Sequence, residues 1–420
     1  MVTAGWRISV ESFFKNNVSF ITNLKLRGSL GKIGEDTGDP FQYVEAYSTG
    51  GAGFEFANGT WVSGVSAPTV VNRELSWMTS TIKDFGFDLG LFGGQVQVEF
   101  DIYQRDREGL LAYRNATLPN TFGASLPQEN LNKDRVKGIE FSAAYAFKVN
   151  DVAFNVSGNF NFARRMVVYA ERGPFVNSMD KWRSGQNERW SDVVWMYDYA
   201  GQFQSEEEIL NSAIQGGTLG NSREMPGDFR YTDANGDGVI DGNDATPLEW
   251  GETPKMFYGL TVGAKWKGFD FYMLWQGAAK YSVMMTHAYA TMFWNNSNLP
   301  EYFYDRWHRA DPYDPNSEWI TGEWPANRMQ ADVGAMYNES SMWRRDASYL
   351  RLKSLELGYS FNLKKMGIEE LRLFVDGYNL WTICDKYVKP FDPEKVAGNL
   401  NTGWVYPLSR SFNFGLSLSF

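Results

Sequence analysis

The chain has 420 residues, 43% hydrophobic and 16% aromatic, with 41 Gly, 16 Trp, 22 Tyr and 30 Phe, a balance that favours strands and turns over helices. Its 50 acidic and 40 basic residues give a net charge of -10, and no basic run is long enough to track a phosphate backbone, which argues against nucleic acid as a partner. No stretch approaches the ~20 apolar residues of a membrane helix, so any membrane crossing must be made by strands.

Met1 to Val10 lacks the charged and apolar regions of a signal peptide. It reads as a loop end running into a strand, and the chain is expected to be the C-terminal part of a longer protein. Trp6, Ile8 and Val10 begin a first strand. Leu24, Leu26 and Leu30 against Lys25, Arg27 and Ser29 make the second, and the Gly-rich stretch from Gly31 to Ser80 reads as a loop. Phe85, Phe87, Leu89 and Leu91 mark a third strand, and the turn at Phe92 to Gly94 feeds a fourth with Val96, Val98, Phe100 and Ile102. After a loop from Asn115 to Asp134, Ile139, Phe141, Ala143, Tyr145 and Phe147 form the fifth; Asn150 and Asp151 turn it into a sixth through Val152, Phe154, Val156, Phe160 and Phe162. The longest loop, 167–255, precedes a seventh strand with Tyr258, Leu260, Val262 and Trp266. Only Lys267 and Gly268 separate that strand from the eighth, with Phe269, Phe271, Met273 and Trp275. A second long loop, 277–348, leads to strands through Leu355 to Phe361 and Leu371 to Val375, and Pro390, Pro393 and Pro407 mark the connection to the last, Phe412 to Phe420.

Each segment alternates large apolar with small or polar residues, the period of a strand with one oily and one wet face. Taken alone, the final segment fits the edge of a soluble sandwich as well as a membrane barrel. The connections decide between them. Short and long links alternate along all eleven strands, so every long loop falls on one side, as in outer-membrane barrels and unlike the mixed connections of sandwiches. The fold class is therefore all-β, a transmembrane antiparallel β-barrel with long extracellular loops. Its polar faces line a lumen, and Trp6, Tyr145, Trp266, Trp275, Phe361 and Phe420 sit at girdle height. Eleven strands cannot close without exposed edges, so further strands are expected from elsewhere.

Several blocks are similar to the SusC/RagA-type TonB-dependent outer-membrane transporters of Bacteroidetes: Gly5 to Ser9; Leu24 to Gly28 with Gly31 and Lys32; Gly201 to Ser205 with Glu207; Gly227 to Arg230; Arg345 to Lys353; Leu357 to Tyr359; and Gly377 to Leu380. The resemblance implies the C-terminal half of a 22-stranded barrel in the outer membrane. Such a barrel holds an N-terminal plug, is energised by TonB, is lidded by a SusD-like surface lipoprotein, and imports oligosaccharides or, alternatively, peptides. No plug or TonB box is recognised in these 420 residues. The rival from another class is a soluble β-sandwich for binding or adhesion with a calcium-stiffened loop.

One motif has chemistry of its own. Asp233, Asn235, Asp237, Asp241 and Asp244 place oxygen side chains at positions 1, 3, 5, 9 and 12 of a loop, with Gly238 at 6 and the Val239 carbonyl at 7. This is the spacing of an EF-hand-like Ca2+ site, with Asp244 replacing the usual Glu, as in dockerin-type loops. Ca2+ is expected in preference to Mg2+; the competing reading is a cluster of Asx turns that needs no ion. In the long loops Trp190, Trp195, Tyr197, Tyr304, Trp307, Trp319 and Trp324 stand among Asp, Asn and Arg. Aromatic faces with hydrogen-bonding rims suit sugar rings, and Trp195, Tyr197, Tyr304 and Trp307 are the candidate substrate contacts; the alternative is that they pack their own loops or meet the lid. His287 and His308 are in no zinc-binding spacing, Cys384 has no patterned His partner and reads as a small buried hydrophobe, and Glu206 and Glu207 read as a solvated helix face. No enzyme is expected.

Overall fold

A computed structural model describes residues 1–36, 38–56, 59–66, 70–115, 126–286, 289–328, 339–363, 368–395 and 406–420; His287 lies outside them. Eleven long strands carry the architecture: β1 Val2–Arg7, β2 Ile21–Glu35, β3 Met78–Leu91, β4 Val96–Tyr113, β5 Gln128–Val149, β6 Val152–Tyr169, β7 Met256–Trp266, β8 Phe269–Ala279, β9 Tyr349–Phe361, β10 Glu370–Cys384 and β11 Ser411–Ser419. Each pairs with its neighbour in the sequence, so the order is a plain antiparallel meander, the arrangement that alternating short and long connections demand.

The chain divides into two compact units, the first made of 1–144 and 161–191, the second of 145–160 and 192–420. In the first, β2 and β3 run in register from Leu24↔Leu89 to Glu35↔Met78, and β3 pairs with β4 from Leu91↔Val96 to Thr79↔Glu108. Phe87 stacks on Phe100 at 5.6 Å across that pair. In the second, β7 and β8 form an unbroken eleven-residue hairpin closed by Lys267 and Gly268, both with positive φ, the backbone that a two-residue hairpin turn requires. One added residue at Lys353 shifts the β8–β9 register between Leu274 and Trp275. It puts Arg351, 3% exposed, on the polar side although the odd-numbered Leu355 and Leu357 below it face out.

Burial along the strands is inverted relative to a soluble sheet. Phe85, Ile102, Leu260, Leu357, Leu373, Phe414 and Leu416 are exposed, as are Trp6, Tyr145, Trp266, Phe361 and Phe420 of the expected girdle, while Ser80, Asp134 and Asp376 are buried. A sandwich would have packed those apolar faces against each other. The packed hydrophobic residues instead belong to the loops. One cluster joins Phe229, Tyr231, Met285, Phe303, Trp324, Trp343 and Tyr387, and a smaller one joins Tyr281, Val283, Ala347 and Val388 to Ala278 and Tyr349 at the loop ends of β8 and β9.

Three sequence expectations are corrected. The first strand stops at Arg7, and Ile8–Val10 form a 3-10 turn leading into a short helix at Ser12–Lys15, where Trp6 donates its indole N–H to Glu11 at 3.0 Å. The Gly-rich stretch after Gly31 is not all loop: β2 continues to Glu35, and Ser48–Phe56 pairs with Thr60–Ser66. Strands β4, β5 and β6 also extend well past their apolar stretches, because their charged ends are paired across the sheet and need no oily face.

If outward residues meet hydrocarbon, Leu416→Arg should cost about 2–4 kcal/mol in urea unfolding of the complete receptor folded in lipid, and inward Ser417→Arg less than about 1 kcal/mol. Equal costs would remove the assignment of faces.

Candidate functional site

The polar faces of the strands carry compact charge clusters. Arg27 of β2 donates to Asp88 of β3 at 2.8 Å and to both oxygens of Asp101 of β4. Higher in the first unit, Asp134, itself 2% exposed, accepts from Arg107 at 2.8 Å and Arg165 at 2.6 Å. The second unit repeats the arrangement: Arg372 of β10 donates to Asp270 of β8 at 3.0 Å and to Glu356 of β9, and Asp376 accepts from Asn413 at 2.7 Å. Glycines make room for two of these clusters. A Cβ at Gly86 would lie 2.1 Å from Asp101, and one at Gly358 within 2.6 Å of Arg372 and Asp270. Bidentate guanidinium–carboxylate contact lies flat on the sheet there, giving a wall suited to water and polar solutes.

Around the loop core, Gln202 is a hub. Its amide donates to the carbonyls of Gly227 at 3.0 Å and Glu323 at 3.2 Å, and its oxygen accepts from Trp307 at 3.3 Å. Trp307 is 3% exposed and lies against Gly227, where a Cβ would come 2.3 Å from its ring. Of the four candidate substrate contacts, then, Trp307 is a packing residue with its N–H already engaged. Trp195 sits half-buried in a short strand opposite Pro247, and Tyr197 packs against Tyr231 at 5.6 Å. Tyr304 is 81% exposed. The four do not form one surface. Trp190 lies beneath Arg164 and Trp319 beneath Arg309, and Trp324 is fully buried.

The cleft that sequence reading missed is lined by Tyr289, Asn298, Glu301, Tyr302, Lys386 and Tyr387, with a volume of about 820 Å3. It joins the loop after β8 to the loop after β10, residues too distant in the chain for any motif to connect. Tyr302 and Tyr387 meet edge to face at 5.2 Å, Lys386 lies 4.4 Å over the Tyr387 ring, and Tyr387 donates to Glu323 at 2.5 Å. Glu301, Asn298 and Lys386 are exposed along it.

The acidic loop is folded by its own side chains. Asp233 accepts from Gly236 at 2.7 Å and Gly238 at 2.8 Å, Asn235 from Asp237, Asp237 from Val239, and Asp244 from Ala234 and Asp241. The Gly238 N–H is the main cause holding the Asp233 carboxyl below its ordinary range. Gly236 and Gly238 take positive φ, and Ile214 bonds the loop on both sides of Val239, from Gly238 O at 2.9 Å to Ile240 N at 2.8 Å. All the oxygen donors of the expected Ca2+ shell are present and are hard ligands. Among the described residues no three or more His, Cys, Asp or Glu side chains are gathered closely enough to hold a metal ion.

Two buried loop carboxylates are shifted in opposite directions. Burial pushes Asp392 up, but Arg351 at 2.7 Å and the N–H groups of Glu394 and Leu408 hold it below the ordinary value. Asp228, fully buried, is pushed up to about 7 by burial, aided by Glu224, against the opposing Arg328 at 2.7 Å and the Met225 N–H.

Comparison with known proteins agrees with this geometry. No protein-family model matches. The chain is 26% identical over its full length to TonB-dependent receptor P26 of Formosa agariphila, covering 42% of it. It is also 26% identical to TonB-dependent receptor SusC of Bacteroides thetaiotaomicron, over 99% of the chain and 39% of that protein. Its fold matches the RagAB peptide importer in the closed-closed state with a TM-score of 0.73 at 20% identity, covering all of the chain and 43% of that one. Apolar-out, charge-in strands of this topology define an outer-membrane β-barrel. More narrowly, the chain is similar along its whole length to TonB-dependent receptors, SusC among them, and spans about two fifths of the length of these relatives.

A carboxyl whose folded value is raised above 3.8 binds its proton more tightly in the folded loop than in the unfolded chain. The stabilisation is full below about pH 4 and is lost as the pH rises towards 7. Hydrogen exchange of the Phe203 and Gly227 amides should therefore speed up from pH 4 to pH 7 beyond the intrinsic rate, and Asp228→Asn should flatten that rise.

Proposed function

We propose that the chain forms barrel wall and substrate-receiving loops of an outer-membrane nutrient importer whose cargo is an oligosaccharide, working with a SusD-like lipoprotein as lid and drawing energy through TonB. The observation that carries the glycan reading is the cleft that half-buried Tyr289 and Tyr302 line, with Tyr387, 5% exposed, as its packed back wall and exposed Glu301, Asn298 and Lys386 at the edge to meet hydroxyls. Support for import as such comes from the structural neighbour, described as an importer, and from the polar strand faces. The peptide alternative rests on the structural neighbours, which are described as a peptide importer; for it, Lys386 and Glu301 would meet peptide termini.

Because Glu301 and Lys386 are exposed and outside the packed core, they test the cleft without unfolding it. In the complete receptor, Glu301→Gln with Lys386→Gln should weaken binding of the transported glycan about tenfold, the loss expected for one hydrogen bond to a charged group, as read by titration calorimetry. Unchanged glycan binding, with loss of binding to short peptides instead, would transfer the proposal to peptides.

The same reading includes Ca2+ on the 233–244 loop, held by Asp233, Asn235, Asp237, Asp241, Asp244 and the Val239 carbonyl. Its support is the sequence spacing of the five oxygen side chains and the Asp233–Gly238 bond that turns the loop. Calcium titration of the receptor should give one site whose heat disappears in Asp233→Asn with Asp237→Asn; heat that persists in the variant, or none in the unaltered protein, removes the ion and leaves a self-capped turn.

A further inference from the structure

We propose that the outward face of β3, β4 and β5 carries a site for a phosphate-bearing lipid of the outer leaflet, with Lys83 and Lys137 on the headgroup phosphate and the apolar wall beneath them along an acyl chain.

Strand alternation puts Lys83 on the same side as Phe85 and Phe87, Gln104 with Ile102, and Lys137 with Ile139. Register sets Lys83 beside Gln104 and Phe85 beside Ile102. On this face the sheet has a groove of about 430 Å3, with Lys83, Gln104 and Lys137 at one end and Phe85, Ile102 and Ile139 along the rest. Phe85 is 54% and Ile102 50% exposed, so the groove wall has no protein covering it, and in the membrane it meets lipid.

Height places the polar end at the interface. Lys83 stands eight residues before the end of β3 at Leu91; at ~3.3 Å per residue and a tilt of ~40° that is roughly 20 Å above the turn, near the upper edge of an apolar band ~25 Å tall. A lysine deeper in the band would be costly, whereas at its edge the ammonium reaches the headgroups while its stem stays in the oily layer.

Charge selects the occupant. Immediately above the groove on the same face, Asp106 accepts from Arg135 at 2.5 Å and Glu108 from Lys133 at 3.4 Å. Asp106 also takes the Gln104 amide N–H at 2.7 Å and interacts with Lys83, so on this face two carboxylates stand against four cations, Arg135, Lys133, Lys83 and Lys137. Lys83 and Lys137, together with Lys32, which flanks them on β2 opposite Thr81, are all exposed and form the surplus. The two ammonium groups of Lys83 and Lys137, above an open apolar groove, complement a phosphate joined to acyl chains. A neutral lipid would leave them unmatched, and a free anion would leave the groove unfilled.

The test uses the complete receptor in mixed micelles and measures binding of phosphatidic acid, of diacylglycerol with the same chains, and of inorganic phosphate, by native mass spectrometry and by displacement. Phosphatidic acid should bind at least about tenfold more tightly than diacylglycerol, inorganic phosphate should not displace it, and Lys83→Gln with Lys137→Gln should lose about tenfold while Lys83→Arg with Lys137→Arg retains binding. Equal binding of the two lipids, displacement by inorganic phosphate, or undiminished binding in the Gln variant would each overturn the proposal. Should the Gln variant fail to fold, the comparison of the two lipids on the unaltered receptor decides.

Discussion

Everything in this chain follows from a backbone that must satisfy its own N–H and C=O groups where no water can reach them. Meandering strands do so through their neighbours, and that leaves the side chains to sort by solvent. Large apolar groups take the lipid side. Charges are confined to the other side, where they cannot remain isolated, and the outcome is the recurring cluster of one arginine shared by two carboxylates, Arg27 with Asp88 and Asp101, Arg372 with Asp270 and Glu356. Three strands contribute to each cluster, so the clusters tie strands together in a way that the hydrogen-bond ladder between two of them does not.

The loops answer a different requirement. They are too long to be ordered by turns alone, and ordering that much chain needs buried apolar area to offset its entropy. Trp324, Trp343, Phe229 and Phe303 supply it as a small globular core built outside the strands. This explains why so many of the loop aromatics are unavailable to a ligand. A tryptophan that holds a loop cannot also offer both its faces, and Trp307 against Gly227 is the plainest case.

What the sequence made legible, and what it hid, divides along the same line. Period-two alternation located all eleven strands, and Lys267–Gly268 was readable as a turn because only two residues stood between apolar runs. The charged ends of β4 to β6 were not readable, since their partners lie on neighbouring strands and no local pattern marks them. The register shift at Lys353 reverses which residues face out, and a pattern that assumes strict alternation cannot see it. The acidic loop was found by spacing, but the same oxygens that suit an ion also suit backbone N–H groups, and a sequence does not say which they take. The tyrosine cleft escaped entirely because it is assembled from Tyr289, Tyr302 and Tyr387, brought together by the loop core and not by proximity in the chain.

That separate loop core has an evolutionary implication. Because the loop residues are stabilised among themselves, while the strands are stabilised by pairing and by their arginine clusters, the two parts can diverge at different rates. Loop residues can therefore be rewritten while the strands are kept, and overall similarity of sequence need not report the chemistry of the loops.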